Sequence, residues 1–392
     1  MKKFISIILF VVFFAIGYML PKKENSNFQR NSIPKNIPAE EDSVIKVSLS
    51  VVGDIMVHST QMKYSEVAPD SFDFAPSFRF ISKFLKSPDL LMGNLETVLA
   101  GRVRGFKGYP VFNTPDQLLN ALKETGFDHL FLSNNHIMDM GWKGAVRTSE
   151  LIRRSGLTYS GISVNRELED SVSIRIVKGV SIAVLSFTYD YNSKRADSSS
   201  VIFRITKKEI EKLLETAEKM KAEVKIVYFH FGDEYSRKPN ALQKKAVKWA
   251  VDSGADFIFA SHPHVIQPVE FIRSEKSVFD SVLIAYSLGN FISNQRWRFS
   301  DCGVALNVEF EKNIISGSFK LSKVSFLPLW VYKGRTSSDK FEYILYPSYP
   351  GYFEKLPSFF TKNDSANYTE SYEDTKRIID SLGVVIPFEK IN

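Results

Sequence analysis

The chain has 392 residues, of which 44% are apolar, 13% aromatic and 24% charged; this excludes a disordered chain and predicts one large or two modest globular domains. Its 51 Lys and Arg exceed its 44 Asp and Glu by seven, but residues 1–46 hold seven basic and four acidic side chains, so the remainder carries only +4 and leaves no nucleic-acid footprint. A single cysteine, Cys302, excludes an internal disulfide framework, a CxxC redox pair and a multi-cysteine zinc site, so a metal here needs imidazole and carboxylate ligands.

After Lys2 and Lys3 an apolar run covers residues 4–20, followed by Pro21, Lys22 and Lys23. This reads as an export signal. Its 17 residues, rising about 1.5 Å each, span roughly 25 Å, slightly short of a hydrocarbon core of about 30 Å. Ala15-Ile16-Gly17 offers a signal-peptidase site, so a cleaved signal peptide and an uncleaved anchor both stay open over residues 1–20. The anchor is preferred, because the apolar run continues past that site. Residues 21–46 are polar, carry Pro21, Pro34 and Pro38, and are expected to form a flexible linker. The expected location is the cell envelope, outside the cytoplasm, tethered by the N-terminal segment or secreted if it is cut.

From residue 47 to 331 short apolar runs alternate with amphipathic stretches, the pattern of an α/β layer protein. Strands are expected at 47–52, 90–95, 129–133, 182–187, 224–229, 257–260 and 282–287. Thr114-Pro115-Asp116-Gln117 predicts a capped helix start with a capping-box glutamine, and Gly126 its stop. Thr206 and Glu209 repeat the device, and Gly156 and Gly254 end two more helices. Alternation between 303 and 324 predicts an antiparallel pair. Residues 332–392, rich in Tyr, Lys and Ser, are expected as a peripheral extension. No internal repeat is present.

The polar residues of interest sit where apolar runs end. Val51-Val52-Gly53-Asp54 closes the first, Met92-Gly93-Asn94-Leu95-Glu96 the second and Leu132-Ser133-Asn134-Asn135-His136 the third. Tyr228-Phe229-His230-Phe231-Gly232 and Ala260-Ser261-His262-Pro263-His264 repeat the arrangement. In open α/β sheets ligands bind beyond the carboxyl ends of the strands, so these endings predict one polar rim. Of six histidines, His136, His230, His262 and His264 lie at the endings, His58 follows one closely, and His129 begins a strand. Singly, Asp54 reads as a turn or helix cap, Asn94 and Glu96 as loop residues, and His230 as a satisfied core histidine. His262-Pro263-His264 is more specific: two imidazoles one residue apart can clasp one ion, while proline restricts the backbone between them. Jointly the residues predict a centre of imidazole, carboxylate and amide oxygen, suited to one or two divalent ions such as Mn, Zn or Fe. In a binuclear site about 3.5–4 Å across, the ions clamp an oxyanion and lower the pKa of a bound water, and Glu96 is the natural bridge.

Gly53-Asp54-Ile55-Met56, Asn94-Leu95-Glu96, Asn134-Asn135-His136 with Asp139 and Gly141, and His230-Phe231-Gly232 with Glu234 and Tyr235 form a series. His262-Pro263-His264-Val265-Ile266-Gln267 and Ser287-Leu288-Gly289-Asn290-Phe291 complete it. In order and spacing it resembles the bacterial capsule-synthesis CapA proteins, which are similar to the PgsA-type poly-γ-glutamate proteins and resemble the calcineurin-like metallophosphoesterase fold. The resemblance implies a four-layer α/β/β/α metallophosphatase-like sandwich with the metal rim at the strand ends. It implies Asp54, Glu96, Asn135, His230, His262 and His264 as metal ligands, with Asn94 as an additional contact. His136 takes the place of the donor to the scissile group, Asp139 its orienter, and Asn290 is expected at the substrate. One position departs: phosphoesterases carry a His two residues after the first Asp, where this chain has Met56. His58 is the candidate substitute; without it one metal binds weakly.

The implied role is in the synthesis, export or anchoring of an anionic capsule polymer, poly-γ-glutamate foremost, alongside capsule-synthesis membrane proteins, with an anionic polymer or a phosphoester as substrate. A non-catalytic assembly partner that retains the metal site, and a general secreted metallophosphodiesterase, are competing readings. Trp297, between Arg296 and Arg298, is a candidate to line a substrate groove. His129 and Cys302 read as structural.

Overall fold

The computed structural model describes residues 43–164, 172–192 and 201–379, with the backbone of 386–387. The expected N-terminal membrane segment and nearly all of the linker lie outside the described residues. Among the described residues no helix is long and apolar enough to cross a membrane.

Four parallel strands come first: β1 (Val44–Ile55), β2 (Leu90–Leu95), β3 (His129–Phe131) and β4 (Thr158–Ser160), side by side in that order. Parallel neighbours need crossovers: short helical turns within residues 56–89 make the first, and helices α1 (Gln117–Thr125) and α2 (Gly141–Arg154) the second and third. Leu118, Leu122, Ala145 and Ile152 on these helices pack on Leu91, Leu95 and Leu130 of the sheet. The chain then builds a second sheet from β5 (Ser173–Val177), β6 (Val180–Thr188), β7 (Val224–His230), β8 (Phe257–Ser261), β9 (Val269–Arg273) and β10 (Ser281–Ala285), ordered β9-β10-β8-β7-β6-β5. Its outer face is covered by α3 (Lys207–Lys219) and α4 (Ala241–Asp252) through Ile210, Leu213, Ala246 and Ala250. The chain returns to the first sheet with β11 (Asn290–Ile292) beside β1, then β12 (Cys302–Asn313), β13 (Phe319–Arg335) and β14 (Phe341–Pro347) antiparallel beyond it, and closes with α5 (Lys362–Ile379).

The inner faces of the two sheets bury Leu49, Val51 and Met92 against Ile226, Tyr228 and Phe259. Phe131 stacks on Tyr228 with ring centroids 4.0 Å apart. Each such side chain contributes about 1.5–3 kcal/mol on burial, which is what holds the sheets face to face. The order of layers is therefore helix, sheet, sheet, helix, as expected.

Glycine places the first strand. The register of β1 on β2 slips between Val52 and Asp54, a bulge that re-aims the next side chain. A methyl on Gly53 would lie 1.9 Å from the Gly289 carbonyl oxygen, so only glycine fits. Gly53→Ala is expected to cost more than about 3 kcal/mol, the upper end of ordinary overpacking, read as a lowered urea midpoint.

Two expectations are corrected. Thr114 does not cap α1: the helix begins at Gln117 with no side-chain cap, because the buried Thr114 hydroxyl is taken by that of Thr97 at 2.8 Å. Thr206 does cap α3, accepting from Glu209 N at 3.2 Å. The boundary expected at 331/332 falls inside β13. There Trp330 and Tyr332 join Tyr346 of β14 and Tyr368 of α5 in one aromatic cluster, so the stretch after 332 completes the first sheet. The segment following β11 is also tied to α5. Arg298 pairs with Glu370 and, at 2.9 Å, with Asp374, while Arg237 donates to the Asp374 carbonyl at 2.8 Å.

Candidate metal centre

Strands β1, β2 and β3 run parallel, as do β7 and β8, so their carboxyl ends open on one rim between the sheets. Asp54 and Asn94 are direct cross-strand partners there. His230 ends β7. His262 and His264 follow β8 with φ of +106° and +58°, a left-handed backbone that costs a non-glycine residue about 1–3 kcal/mol and persists only when its surroundings fix it. Asp54 does so. One carboxylate oxygen accepts from the His262 backbone N–H at 3.2 Å and from His264 Nδ1 at 3.1 Å, and the other from Asn94 Nδ2 at 2.7 Å and from the Ser261 hydroxyl.

The imidazoles are oriented in the same way. His264 Nδ1 also donates to Asn290 Oδ1 at 3.1 Å, leaving Nε2 directed toward Glu96, whose Oε1 is 3.9 Å away. His230 receives Asn94 Nδ2 on Nδ1 at 3.2 Å and places Nε2 2.8 Å from Asn135 Oδ1 and 3.6 Å from Glu96 Oε1. Asp54, Asn94, Glu96 and His230 are wholly buried, and Asn135, His262 and His264 nearly so.

This donor set fits a divalent cation, for a specific reason. Buried polar atoms are almost always paired, yet Glu96 Oε1 and His262 Nδ1 have no hydrogen-bond partner. Both belong to groups whose ligand atoms lie within 4.8 Å of one another: Glu96 with His230 and His262, Asp54 with Glu96 and His264, and Glu234 with His262 and His264. Sharing of Glu96, His262 and His264 between groups suits either one ion or two. Nitrogen and oxygen donors without thiolate match Zn, Mn or Fe.

Electrostatics point the same way. Burial drives His262 down to about 3, helped by the His264 charge. Burial likewise holds His230 well below its ordinary value. Both are therefore neutral and ready to ligate. For Asp54, burial pushes upward, but the His264 hydrogen bond and charge, with His230 and Ser261, outweigh it and keep the carboxyl ionised far below the usual range. Glu96 is the opposite case: burial and the Asp54 charge raise it well above the carboxylate range. Ionising Glu96 thus costs stability, a cost absent below its ordinary pKa and growing as pH rises toward its raised one. The lowered His230 and His262 add stability as pH rises to the ordinary histidine value, so the Glu96 cost acts unopposed by them only above it, and there the melting temperature of metal-free protein is expected to fall with rising pH. Added Mn should flatten that slope, measured by scanning calorimetry with and without the ion.

The remaining expected residues surround this cluster. His136 and His264 line one cleft of about 450 Å³ with Met56, His58, Phe112 and Trp297. His136 Nδ1 donates to Asp139 Oδ2 at 2.8 Å, and the same oxygen accepts from Phe112 N at 2.7 Å. Phe112 packs edge-on against His136, ring centroids 4.7 Å apart. Asn94 has both amide ends engaged, its Oδ1 accepting from Asn134 Nδ2 at 3.1 Å, so it orients its neighbours. His58 lies in the cleft and belongs to none of the three ligand groups; its Nδ1 accepts from Asn294 N at 3.3 Å. Asn290 sits behind His264, its Nδ2 donating to Gln295 Oε1 at 3.0 Å and the Ser300 carbonyl at 2.7 Å.

Residues of this cluster match a described protein family. The profile of the bacterial capsule synthesis protein PGA_cap covers residues 48–295, well over half of the chain and every ligand group above. The chain belongs to this family. Among curated relatives, "Capsule biosynthesis protein CapA" of Bacillus anthracis is 30% identical over 262 residues, 64% of this chain and 61% of that protein. This chain thus spans less than two thirds of the length of that PGA_cap relative. "PGA biosynthesis protein CapA" of Bacillus subtilis is 28% identical over 284 residues, 71% of each chain. Solved structures similar to this PGA_cap chain include the Haemophilus influenzae NAD nucleotidase, at 11% identity, TM-score 0.46, 88% of this chain and 57% of that one. A phosphatase from Mycoplasma pneumoniae aligns at 13% identity, TM-score 0.43, 73% of this chain and 94% of that one.

One residue of this PGA_cap site escaped assignment from the sequence. Glu234 groups with His262 and His264 and lines the cleft. Its signal was present in the motif that begins at His230, but an exposed glutamate past a strand end has no period to mark it.

Proposed function

We propose that this protein is a divalent-metal hydrolase of the cell envelope, held at the membrane by residues 1–20, acting in the synthesis, export or anchoring of poly-γ-glutamate or a similar anionic capsule polymer. One observation carries the hydrolase part: ligand atoms of Glu96 and His262 are buried without a partner, and both residues group with His264, which lines an open cleft. Membership of the capsule synthesis family supports the biological setting.

Asp54, Glu96, His230, His262 and His264, with Asn135 and Glu234, would hold the metal. When bound, it supplies Lewis acidity and a water of lowered pKa. The chain's own residues do the rest. The Asp54 carboxylate fixes the His262 backbone and the His264 ring, so the donors are set before substrate arrives. Asp139 holds the proton on His136 Nδ1, which leaves Nε2 to carry a proton to a departing oxygen from the cleft side. Phe112 packs edge-on against that ring and fixes its orientation.

Full-length protein in detergent, reconstituted with Mn, Zn or Fe, tests the reading on a chromogenic phosphodiester and on poly-γ-glutamate. Metal-dependent turnover of either, lost on chelation, is the expected result. Tightly bound metal with no turnover of either would leave the metal a structural role in an assembly partner. Turnover of the phosphodiester without binding of the polymer would favour a general secreted phosphodiesterase.

A further inference from the structure

One wall of the cleft carries a cation that no carboxylate meets at ion-pair distance among the described residues. Arg296 lines the cleft. Its guanidinium donates to the Val331 carbonyl at 2.6 Å and lies 5.7 Å from the Tyr343 ring centre. Lys333 reaches the same ring at 5.6 Å and donates to Asn294 Oδ1 at 2.9 Å, and Asn294 also lines the cleft. Neither cation has a carboxylate within ion-pair distance among the described residues. Their neighbours are compensated: Arg298 by Glu370 and Asp374, Arg335 by Asp339. Asp301 and Asp364 act on Arg296 only through space, and Asp301 is also held by the Trp330 indole N–H at 3.0 Å. Two cations on one tyrosine ring repel each other, and an anion bound at Arg296 from the cleft lowers that cost.

The surroundings indicate what kind of anion. Tyr109, Tyr235 and Trp297 ring the mouth at 73%, 42% and 65% exposure, with Tyr235 and Trp297 edge to face at 6.4 Å. Large aromatics left this open are unusual unless they meet a ligand. A compact inorganic anion needs no such walls. A chain that alternates charge with methylene and amide surface does, and γ-linked glutamate is such a chain, with one free carboxylate per residue. The planar fork of arginine matches a carboxylate with two parallel hydrogen bonds. Glu234, the one acid in this cleft, groups with His262 and His264, where a metal would neutralise it.

We propose that Arg296, backed by Lys333, is a carboxylate subsite that grips the polymer chain beside the metal centre, with Tyr109, Tyr235 and Trp297 covering the apolar stretches between charges. The inference rests on the polymer reading above and adds a specificity site to it.

The test is binding of a γ-glutamate oligomer to the full-length, Mn-loaded protein by titration calorimetry, in low and moderate salt, with metal content measured on each sample. Arg296→Gln is expected to weaken binding about tenfold or more, as for loss of a charged hydrogen-bonding partner, with metal content unchanged. Arg296→Lys should recover part of the loss, and Lys333→Gln should weaken binding less while lowering its salt dependence. An oligomer with amidated carboxylates should bind poorly to the parent. Parent-like affinity in Arg296→Gln, or equal affinity for the amidated oligomer, overturns the subsite. If the parent binds no oligomer, the subsite also falls, and hydrolysis of the phosphodiester by the same sample shows whether the hydrolase reading survives it.

Discussion

His262→Ala is expected to strip the protein of tightly bound divalent metal and to lower any metal-dependent turnover by well over a hundredfold. The reason is position. His262 belongs to two of the three ligand groups, one with Glu96 and His230 and one with Glu234 and His264, so one truncation removes a donor from both. Its Nδ1 is buried with no protein partner, so nothing in the fold replaces the lost donor. Loss of a residue that merely orients a ligand typically costs about 10–100-fold in metal affinity, and loss of a ligand should exceed that. Elemental analysis after gel filtration reads the metal, and the phosphodiester assay reads turnover. The ring packs against Tyr189 and His230 at 4.7 Å each, so the alanine variant also loses packing. His262→Gln, of closer size, separates that loss from ligation: it should melt near the parent without metal, yet fail to gain the parent's stabilisation when Mn is added. A variant that keeps its metal would refute the assignment.

His136→Ala is expected to behave differently: metal content stays at the parent level while kcat falls by about 10²–10⁴-fold, the usual worth of a positioned general acid or base. His136 belongs to none of the ligand groups but faces the same cleft. Asp139→Asn should reproduce part of the loss. The Asp139 oxygen that accepts from His136 also accepts from Phe112 N, so its amide both frees the imidazole and loosens the wall beside it. The discriminating measurement is the pH profile of kcat. Removing His136 should abolish the limb that reports protonation of the donor, whereas a purely structural loss would scale the whole profile down.

Much of this site was legible because the chain writes it at strand ends. Asp54, Glu96, Asn135, His230, His262 and His264 each close an apolar run, and parallel pairing carries run ends to one rim. The histidine pair around Pro263 was the clearest signal, since no turn requires it. What could not be read depends on contacts across the sheets. Ser261 looks like a strand terminus, yet its hydroxyl links Asp54 to Tyr228. Asn94 reads as a loop residue or a metal contact, and whether an amide faces a metal or another amide is decided by its neighbour's rotamer. The tail was harder still. Its aromatic residues have no strand period of their own, and β14 and α5 gain their place from Trp330 and Tyr332, which β13 presents to them.

The tie between Arg298 and α5 has a consequence for how the protein is made. Synthesis proceeds from the N-terminus, and the candidate metal centre has all its parts once β11 has emerged, because Gly289 seats Gly53 and Asn290 orients His264. The segment bearing Arg296 and Trp297 appears soon after, but its anchors, Glu370 and Asp374, come some seventy residues later. The side of the cleft that bears Arg296 and Trp297 is thus the last to be fastened, and a chain interrupted before α5 would lack those anchors.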